Sequence, residues 1–199
     1  CTALKALSKG CFVPIAAGGG VNTIEKARHL LRSGADKIVI NTSLYGEDDF
    51  IRLLASEFGE QCIVASIDVK NTANNGYKVF SQNGSKSINF SASECIKFVS
   101  KFTIGEIYLN SIDRDGTGQG FDMHLLDLLF KNISKPVILA GGAGNSLHLA
   151  EGLSDIRVDA VATANLFNFV GDGLKKARHS LIEKGIELPI WDEQLLNEN

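Results

Sequence analysis

The stretch PIAAGGG (residues 14–20) ends an apolar run in three consecutive glycines, and GADKIVINT (34–42) supplies a second apolar run behind it. The same pattern returns later in the chain as PVILAGGAG (136–144) and RVDAVATAN (157–165). Two copies of a strand, a glycine turn, a helix and a strand predict a duplicated half-barrel. The copies are 123 residues apart, as measured on two pairs: Gly18 with Gly141, and Asp36 with Asp159.

Apolar runs of strand length alternate with helical patterns along the chain. The runs are continuously apolar, which is typical of strands covered on both faces, and repeated strand–helix units predict a parallel sheet. The strand candidates are VPIAA (13–17), KIVI (37–40), CIVASI (62–67), EIYLNS (106–111), PVILA (136–140) and DAVAT (159–163). The helical stretches are 22–33, 47–58, 91–101, 122–131, 146–153 and 171–184.

We therefore expect a single (β/α)8 TIM-barrel domain over residues 1–199. A barrel with this repeat runs to about 250 residues, whereas only six strand candidates are visible. The repeat places the two remaining βα units before residue 1, so we expect an α/β barrel truncated at its N-terminus to about six βα units. Such a chain exposes two long apolar strand edges, which predicts marginal stability in isolation.

The alternation breaks after the third strand candidate, in the segment 71–90. Asn-Gly pairs at 75–76 and 83–84 flank the short apolar run YKVF. Asn-Gly is the strongest short-range turn signal for a hairpin. We expect a hairpin inserted at the rim of the barrel, on the side that carries function.

The composition is that of an ordinary soluble globular protein, with 44% hydrophobic residues and a net charge of −3. There is no basic stripe, so nucleic acid is not an expected partner, and no apolar run is long enough to cross a membrane. The four cysteines are widely spaced, with no CxxC pair. This favours reduced thiols in the cytoplasm, and we expect neither a metal site nor a cofactor.

Small polar or glycine residues follow the strand candidates, at the end where parallel barrels place their active sites. Glycines after a strand let backbone N–H groups approach an anion, and the next helix adds its positive dipole end. Tight packing is the competing explanation. Because the pattern occurs twice, we expect two phosphate sites that suit a ligand with a phosphate at each end. The residues concerned are Gly19, Gly20, Asn41, Thr42, Gly141, Gly142, Ala164 and Asn165.

Two aspartates end successive apolar strands and are candidates for acid–base chemistry. Asp68, with Lys70 behind it, follows the third strand, and Asp113 follows the fourth. A carboxylate at the mouth of an apolar barrel can have its pKa raised by desolvation and then act as a general acid or base. The alternative to a catalytic role is that each aspartate caps a helix or forms a turn. That alternative is stronger for Asp113, which lies in the turn-rich SIDRDGTG.

Lys37 and Glu106 start their strands at the opposite end of the predicted barrel. Residues 37, 39 and 41 share one strand face, as do 106, 108 and 110. If these faces point inward, Lys37 and Glu106 form a charged layer at the bottom of the barrel. The alternative is that both are ordinary surface residues flanking a strand.

These pieces together resemble the cyclase subunits of imidazole glycerol phosphate synthases, in the histidine-biosynthesis phosphoribosyl barrel family. The resemblance extends over residues 10–184, and SIDRDGTGQG combined with ADKIVINT is its most specific part. The matching stretches are AAGGGV, GADKIVINT, ASIDVK, GEIYLNSIDRDGTGQGFD and AGGAG.

The resemblance implies a barrel that takes ammonia from a glutaminase partner in a heterodimer. Ammonia adds to a bisphosphorylated ribulosyl-formimino carboxamide ribonucleotide, and cyclisation with cleavage gives imidazole glycerol phosphate and aminoimidazole carboxamide ribonucleotide. It implies that Asp68 is one of two catalytic acid–base residues, and that the other lies on a first strand absent here. It also implies that Lys37 and Glu106 belong to a charged ammonia gate, and that Asp36 lies at the glutaminase interface.

The resemblance also divides the phosphate contacts into two groups. One phosphate is held by positions matching Gly20, Asn41 and Thr42. The other is held by positions matching Asp115, Gly116, Gly142, Ala164 and Asn165.

Three rim positions depart from the family pattern. Asn110 stands where threonine is usual, Ala140 where serine is usual, and Ala164-Asn165 where alanine-serine is usual. A hydroxyl lost from a site that hydrogen-bonds its substrate changes specificity. Two alternatives therefore stay open. One is a paralogue that supplies ammonia for acetamidino-sugar synthesis in surface-polysaccharide pathways, and the other is a non-catalytic barrel that only activates a glutaminase.

Overall fold

The computed structural model describes residues 2–46, 48–72, 76–129, 133–164 and 173–188. Eight strands are defined, and six of them form one parallel sheet in the order β1-β2-β3-β6-β7-β8. The sheet curls with its strands in chain order, as in a (β/α)8 barrel, which confirms the predicted fold class. Their bounds are Ala16–Gly18 (β1), Lys37–Ile40 (β2), Ile63–Asn71 (β3), Tyr77–Ser81 (β4), Lys86–Ser91 (β5), Glu106–Ser111 (β6), Val137–Ala140 (β7) and Ala160–Ala162 (β8).

Most of the helices lie between parallel strands along the chain and cover one face of the sheet. In α2, Ala27 is fully buried and Ile24, Leu30 and Leu31 pack against the core, as the 3.6-residue spacing predicts. The helix bounds are Thr2–Ser8 (α1), Ile24–Arg32 (α2), Asp48–Phe58 (α3), Ala92–Val99 (α4), Ser146–Ser154 (α5) and Gly173–Glu183 (α6). Short 3-10 helices span Thr42–Tyr45, Glu60–Cys62 and Met123–Leu128.

The described part of the stretch 122–131, which is residues 122–129, does not form the predicted α-helix. Residues Met123–Leu128 form a 3-10 helix, and the side chain of Asp122 does not cap it. The Asp122 carboxylate instead accepts a hydrogen bond from the Tyr77 hydroxyl at 2.8 Å. The Asp122 carboxylate, which could otherwise cap the start of a helix, is thus bonded to Tyr77, a residue distant in sequence.

The segment after β3 forms an antiparallel hairpin of β4 and β5, and β4 also pairs with the second half of β3. That pairing extends β3 to Asn71, four residues beyond the apolar run that predicted it. Gln82 and Asn83 at the hairpin tip have positive φ angles of 52° and 57°. The hairpin therefore rises from the carboxyl end of the sheet.

Alternate strand residues lie on opposite faces of the parallel sheet. Ile38, Ile40, Ile107 and Leu109 are fully buried in the core that the helices cover. The alternating residues of β2 and β6 that lie between these four are less buried, and they are on the opposite face of the sheet. On that face, residues of β2 and β6 are register partners of residues of β3, the strand between them. We call this second surface the inner face; it carries Lys37, Val39, Asn41, Val64, Ser66, Asp68, Glu106, Tyr108 and Asn110.

The strand register corrects the alignment of the two repeats by one residue. Gly18 pairs with Val39 in the first copy, and Ala140 pairs with Ala162 in the second. Gly18 therefore corresponds to Ala140 and not to Gly141. The true equivalents in the glycine turns are Gly19 with Gly141 and Gly20 with Gly142, and the helix caps Thr23 and Asn145 also correspond.

None of the helices in the described part of the chain is both long and apolar enough to cross a membrane. Cys11, Cys62 and Cys95 are free thiols. Within the same described ranges, no group of three or more His, Cys, Asp or Glu side chains is placed to bind a metal ion.

Candidate active site

A cavity of about 190 Å³ opens at the carboxyl ends of β1, β2 and β3. Its lining includes Asp68 and four of the predicted phosphate-binding residues. The structure therefore brings the predicted acid–base residue and one predicted phosphate cradle to a single site. Those four residues are Gly19, Gly20, Asn41 and Thr42.

Asp68 lies on the inner face near the end of β3 and is partly buried. Burial raises the pKa of its carboxyl group, and the nearby negative charge of Asp115 raises it further. Asn110 opposes this by donating its Nδ2–H to Asp68 Oδ1 at 3.1 Å. A carboxyl group with a raised pKa is suited to both accepting and donating a proton.

The glycine turn after β1 is open towards the cavity. Gly20 has a φ angle of +64°, and a Cβ atom built on it would meet nothing within 4 Å. A Cβ atom built on Gly19 would likewise meet nothing within 4 Å. Lys26 donates from Nζ to the carbonyl oxygen of Gly20 at 3.1 Å and to Asn22 Oδ1 at 2.8 Å. The turn thus combines accessible backbone with a cation held beside it, which is what an anion site requires.

The segment after β2 forms the adjacent wall of the cavity. Asn41 donates from Nδ2 to the carbonyl oxygen of Ser66 at 3.0 Å, which ties the end of β2 to β3. The Ser43 hydroxyl bonds to the carbonyl oxygen of Val21 and so holds this segment against the first glycine turn. Thr42 Oγ1 accepts a long bond of 3.4 Å from the backbone of Gln82 in the hairpin.

The second glycine turn, after β7, is packed against the chain itself. A Cβ atom on Gly142 would lie 2.1 Å from the carbonyl oxygen of Gly120, and one on Gly141 would lie 2.3 Å from that of Ser111. Gly120 also donates its N–H to the Gly142 carbonyl oxygen at 2.8 Å. The structure therefore gives Gly141 and Gly142 a packing role, the explanation that competed with phosphate binding in the sequence.

The loop after β6 separates the roles of its two aspartates. Asp113 is exposed, and its Oδ2 accepts the backbone N–H of Asn71 at 2.6 Å, so it fastens the loop to the end of β3. Asp115 and Gly116 are exposed at the tip, and the charge of Asp115 acts on Asp68. Asp113 thus makes a structural contact with β3, which is neither a helix cap nor a contact within its own turn, while Asp115 lies near Asp68.

The remaining predicted rim residues lie in different environments. Lys70 and Ala164 are exposed, whereas Ala140 is 1% exposed and contributes no free surface. Asn110 is partly buried between Asp68 and the second glycine turn. Asn165 lies outside the described residues.

Lys37 and Glu106 form an ion pair at the amino-terminal end of the sheet, across β3. Both side chains are partly buried on the inner face, at 30% and 23% exposure, so they are not ordinary surface residues. Tyr108 lies between this pair and Asn110 on β6, and its register partner on β3 is Ser66. The inner face therefore carries polar groups from its amino-terminal end to Asp68.

Asp36 closes the amino-terminal end of β1. Its Oδ2 accepts the backbone N–H of Ile15 at 2.8 Å, and its own N–H donates to the Ile15 carbonyl oxygen at 2.8 Å. Asp159 makes the same two contacts with Val137, at 2.8 and 2.9 Å. The aspartate common to the two repeats is thus explained by strand pairing.

Sequence reasoning missed several residues at or near the site. Ser66 and Asn83 line the cavity, Lys26 reaches the first glycine turn, and Tyr108 lies on the inner face below Asp68. The alternation of β3 and β6 contained the signal for Ser66 and Tyr108, because both fall in the same period of two as Asp68 and Asn110. The Asn-Gly pair at 83–84 predicted a turn at Asn83 but not its place in the cavity lining, and no local signal marked Lys26.

Comparison with known proteins adds two findings. A family model described as "Histidine biosynthesis protein" matches residues 1–171. A protein of Parasynechococcus marenigrum (strain WH8102), named "Putative imidazole glycerol phosphate synthase subunit hisF2", is 48% identical over 177 residues. The match covers 89% of this chain and 65% of that relative, so the chain spans less than two thirds of the relative's length.

Proposed function

The chain belongs to the histidine biosynthesis protein family, and on that premise we propose that it is the cyclase part of an imidazole glycerol phosphate synthase. The reaction adds ammonia to a bisphosphorylated ribulosyl-formimino carboxamide ribonucleotide. Ring closure and cleavage then give imidazole glycerol phosphate and aminoimidazole carboxamide ribonucleotide.

The cavity that joins Asp68 to the first glycine turn is the observation that carries this proposal. The substrate has a phosphate at one end that fits the open turn of Gly19 and Gly20, with Asn41 and Thr42 on the adjacent wall. Asp68 would then face the reacting nitrogen and carbon atoms from the floor of the site. Its raised pKa suits a group that accepts a proton in one step and returns it in another.

The second phosphate is assigned to the loop after β6 and the turn after β7. Asp115 and Gly116 are exposed there, and backbone N–H groups of the turn at Gly141 and Gly142 are the donors we assign to it. The close packing of these glycines holds the backbone rigidly, which suits binding through N–H groups instead of through an open pocket. Ala164 follows β8 at the same end of the sheet. Asn165 completes the assignment.

Ammonia is proposed to come from a glutaminase subunit docked at the amino-terminal end of the sheet. The partly buried ion pair of Lys37 and Glu106 lies at that end, with Asp36 on the exposed surface beside it. Separation of the pair would open a polar route along the inner face towards Asp68. Delivery of ammonia by this route requires that the Lys37–Glu106 ion pair can break.

A second candidate is favoured by the rim. Neither Asn110 nor Ala140 has a hydroxyl group to offer a substrate. The amide of Asn110 is bonded to Asp68, and Ala140 is buried. A site changed in this way fits a paralogue that passes ammonia to a different acceptor, as in acetamidino-sugar synthesis. Such a protein would keep the ion pair and lose the need for Asp68.

The test is turnover of the ribulosyl substrate with ammonium salt by the protein expressed from its complete gene. We expect formation of both products, and Asp68→Asn should lower kcat by about 10²–10⁴-fold because a positioned acid–base group is lost. Asp49→Asn, an exposed position on α3, is the matched control and should retain activity.

Two results would contradict the cyclase assignment. Absence of turnover by the wild-type protein, with a glutaminase that is nevertheless stimulated, would favour a non-catalytic partner role. Turnover that is unaffected by Asp68→Asn would remove Asp68 from the mechanism.

A further inference from the structure

Asn110 and Asp68 are register partners on adjacent parallel strands. β3 and β6 pair along six positions, and Asp68 lies opposite Asn110 on the inner face. The two side chains therefore leave the sheet side by side, and Asn110 Nδ2 lies 3.1 Å from Asp68 Oδ1. Backbone hydrogen bonds already hold the two strands in this register. The fold therefore sets the geometry of the bond between Asn110 and Asp68.

The other end of the Asn110 side chain is confined by the second glycine turn. Asn110 Oδ1 would lie 3.0 Å from a Cβ atom at Gly141, which is tighter than ordinary van der Waals contact. The absence of a side chain at Gly141 therefore leaves the space that the amide oxygen occupies. With Oδ1 on that side, the Nδ2 donor of Asn110 faces Asp68.

Among the described residues, the groups that shift the pKa of Asp68 include no positively charged one. The negative charge of Asp115, in the loop after β6, raises the pKa of Asp68, and the charge of Asp68 in turn raises the pKa of Tyr108 on β6 and of Tyr45 after β2. Lys70, two positions along β3, is exposed. A hydrogen bond from a neutral amide is then the contact that favours the charged carboxylate without adding a charge of its own.

We propose that Asn110 is a positioning residue for Asp68: its Nδ2–H fixes the orientation of the Asp68 carboxylate and stabilises the ionised form. The catalytic use of this contact rests on the proposed function, whereas the contact itself does not. Asn110 thus acts on the acid–base group from the neighbouring strand, in addition to forming part of the rim.

The direct test is titration of the Asp68 carboxyl carbon by NMR in protein labelled with 13C-aspartate, with the signal assigned from its absence in Asp68→Asn. Two variants matched in shape, Asn110→Val and Asn110→Thr, differ by one hydroxyl. Loss of the donor in Asn110→Val is expected to raise the pKa of Asp68 by about one pH unit. Asn110→Thr restores a donor and should raise it by less.

The control is Asn89→Val, the same substitution on the exposed strand β5 of the hairpin. It should leave the Asp68 titration unchanged. Should Asn110→Val fail to fold, Asn110→Leu also removes the donor and should give the same upward shift. An Asp68 pKa equal to that of the wild type in the folded variant would overturn the inference.

Turnover gives a second readout that separates this inference from the proposed function. In an active enzyme, Asn110→Val should lower kcat more than it raises KM, and the limb of the pH profile that reports Asp68 should move to higher pH. A wild-type protein that turns over no ribulosyl substrate would sink the proposed function and leave the titration to decide the inference. An unshifted titration in an active enzyme would sink the inference alone.

Discussion

The two glycine turns occupy equivalent positions in the repeats and have different surroundings. The first, at Gly19 and Gly20, faces a cavity, and a Cβ atom there would meet nothing. The second, at Gly141 and Gly142, lies against Ser111 and Gly120 of the chain itself. The same backbone shape, with positive φ at both glycines, thus serves an open site in one copy and close packing in the other.

The helix residue behind each turn differs in the same sense. Lys26 in the first copy brings its ammonium group to the Gly20 carbonyl oxygen. Its equivalent in the second copy, His148, accepts the N–H of Gly144 through Nδ1 at 3.2 Å and lies against Gly120. The first copy therefore has a cation, Lys26, beside accessible backbone. In the second copy, other parts of the chain pack closely against the turn. A glycine motif in sequence reports the backbone shape and not what lies against it.

The largest expected effect separates the two turns by stability. Gly142→Ala forces a Cβ atom against the backbone oxygen of Gly120 and should lower the free energy of unfolding by more than about 3 kcal/mol. Gly20→Ala has room for its methyl group and should cost only about 1–2 kcal/mol, the strain of a left-handed backbone conformation. Urea denaturation of both variants measures the difference. Equal losses in the two variants would show that the turns are not packed differently.

A smaller effect concerns Asp68, the charged group beside the open turn. Burial raises its pKa in the folded chain, so its charge is less favourable when folded than when unfolded. This unfavourable contribution appears as pH rises through the ordinary carboxyl pKa and is complete above the raised value. Asp68→Asn should therefore raise the free energy of unfolding at pH 7 by less than about 1 kcal/mol, because the side chain is partly exposed.

The pH dependence provides the check on that prediction. At pH 3, below the ordinary carboxyl pKa of 3.8, the carboxyl group is mostly protonated in both states, and the difference between variant and wild type should be small. Urea denaturation at the two pH values measures it. A variant less stable than the wild type at pH 7 would mean that the Asp68 carboxylate contributes to folding and is not held there at a cost.

The sequence predicted the parallel strands well where burial alone determines them. β2 and β6 have the predicted bounds because their β-branched and apolar runs are bounded by polar residues. β1 begins three residues later than predicted, after Pro14, which has no N–H to donate to a ladder. β3 is longer than predicted because the hairpin pairs with its second half, which no local pattern shows.

The candidate site was predictable in its residues and less so in their contacts. The end of an apolar strand marked Asp68, and the glycines marked the turns. The bond from Asn110 to Asp68 depends on the register of β3 and β6, and the filling of the second turn depends on how the loop to Gly120 folds back. Both are contacts between segments far apart in sequence, so neither spacing nor composition contained them.

We propose that the open turn and the wall beside it bind phosphate next to Asp68. The most direct measurement follows the backbone amides of 15N-labelled protein as inorganic phosphate is added. We predict saturable shifts at the amides of Gly20 and Thr42, with the exposed hairpin residue Asn89 unchanged. Saturable shifts that avoid both Gly20 and Thr42, or no saturable shift at any amide, would contradict the account.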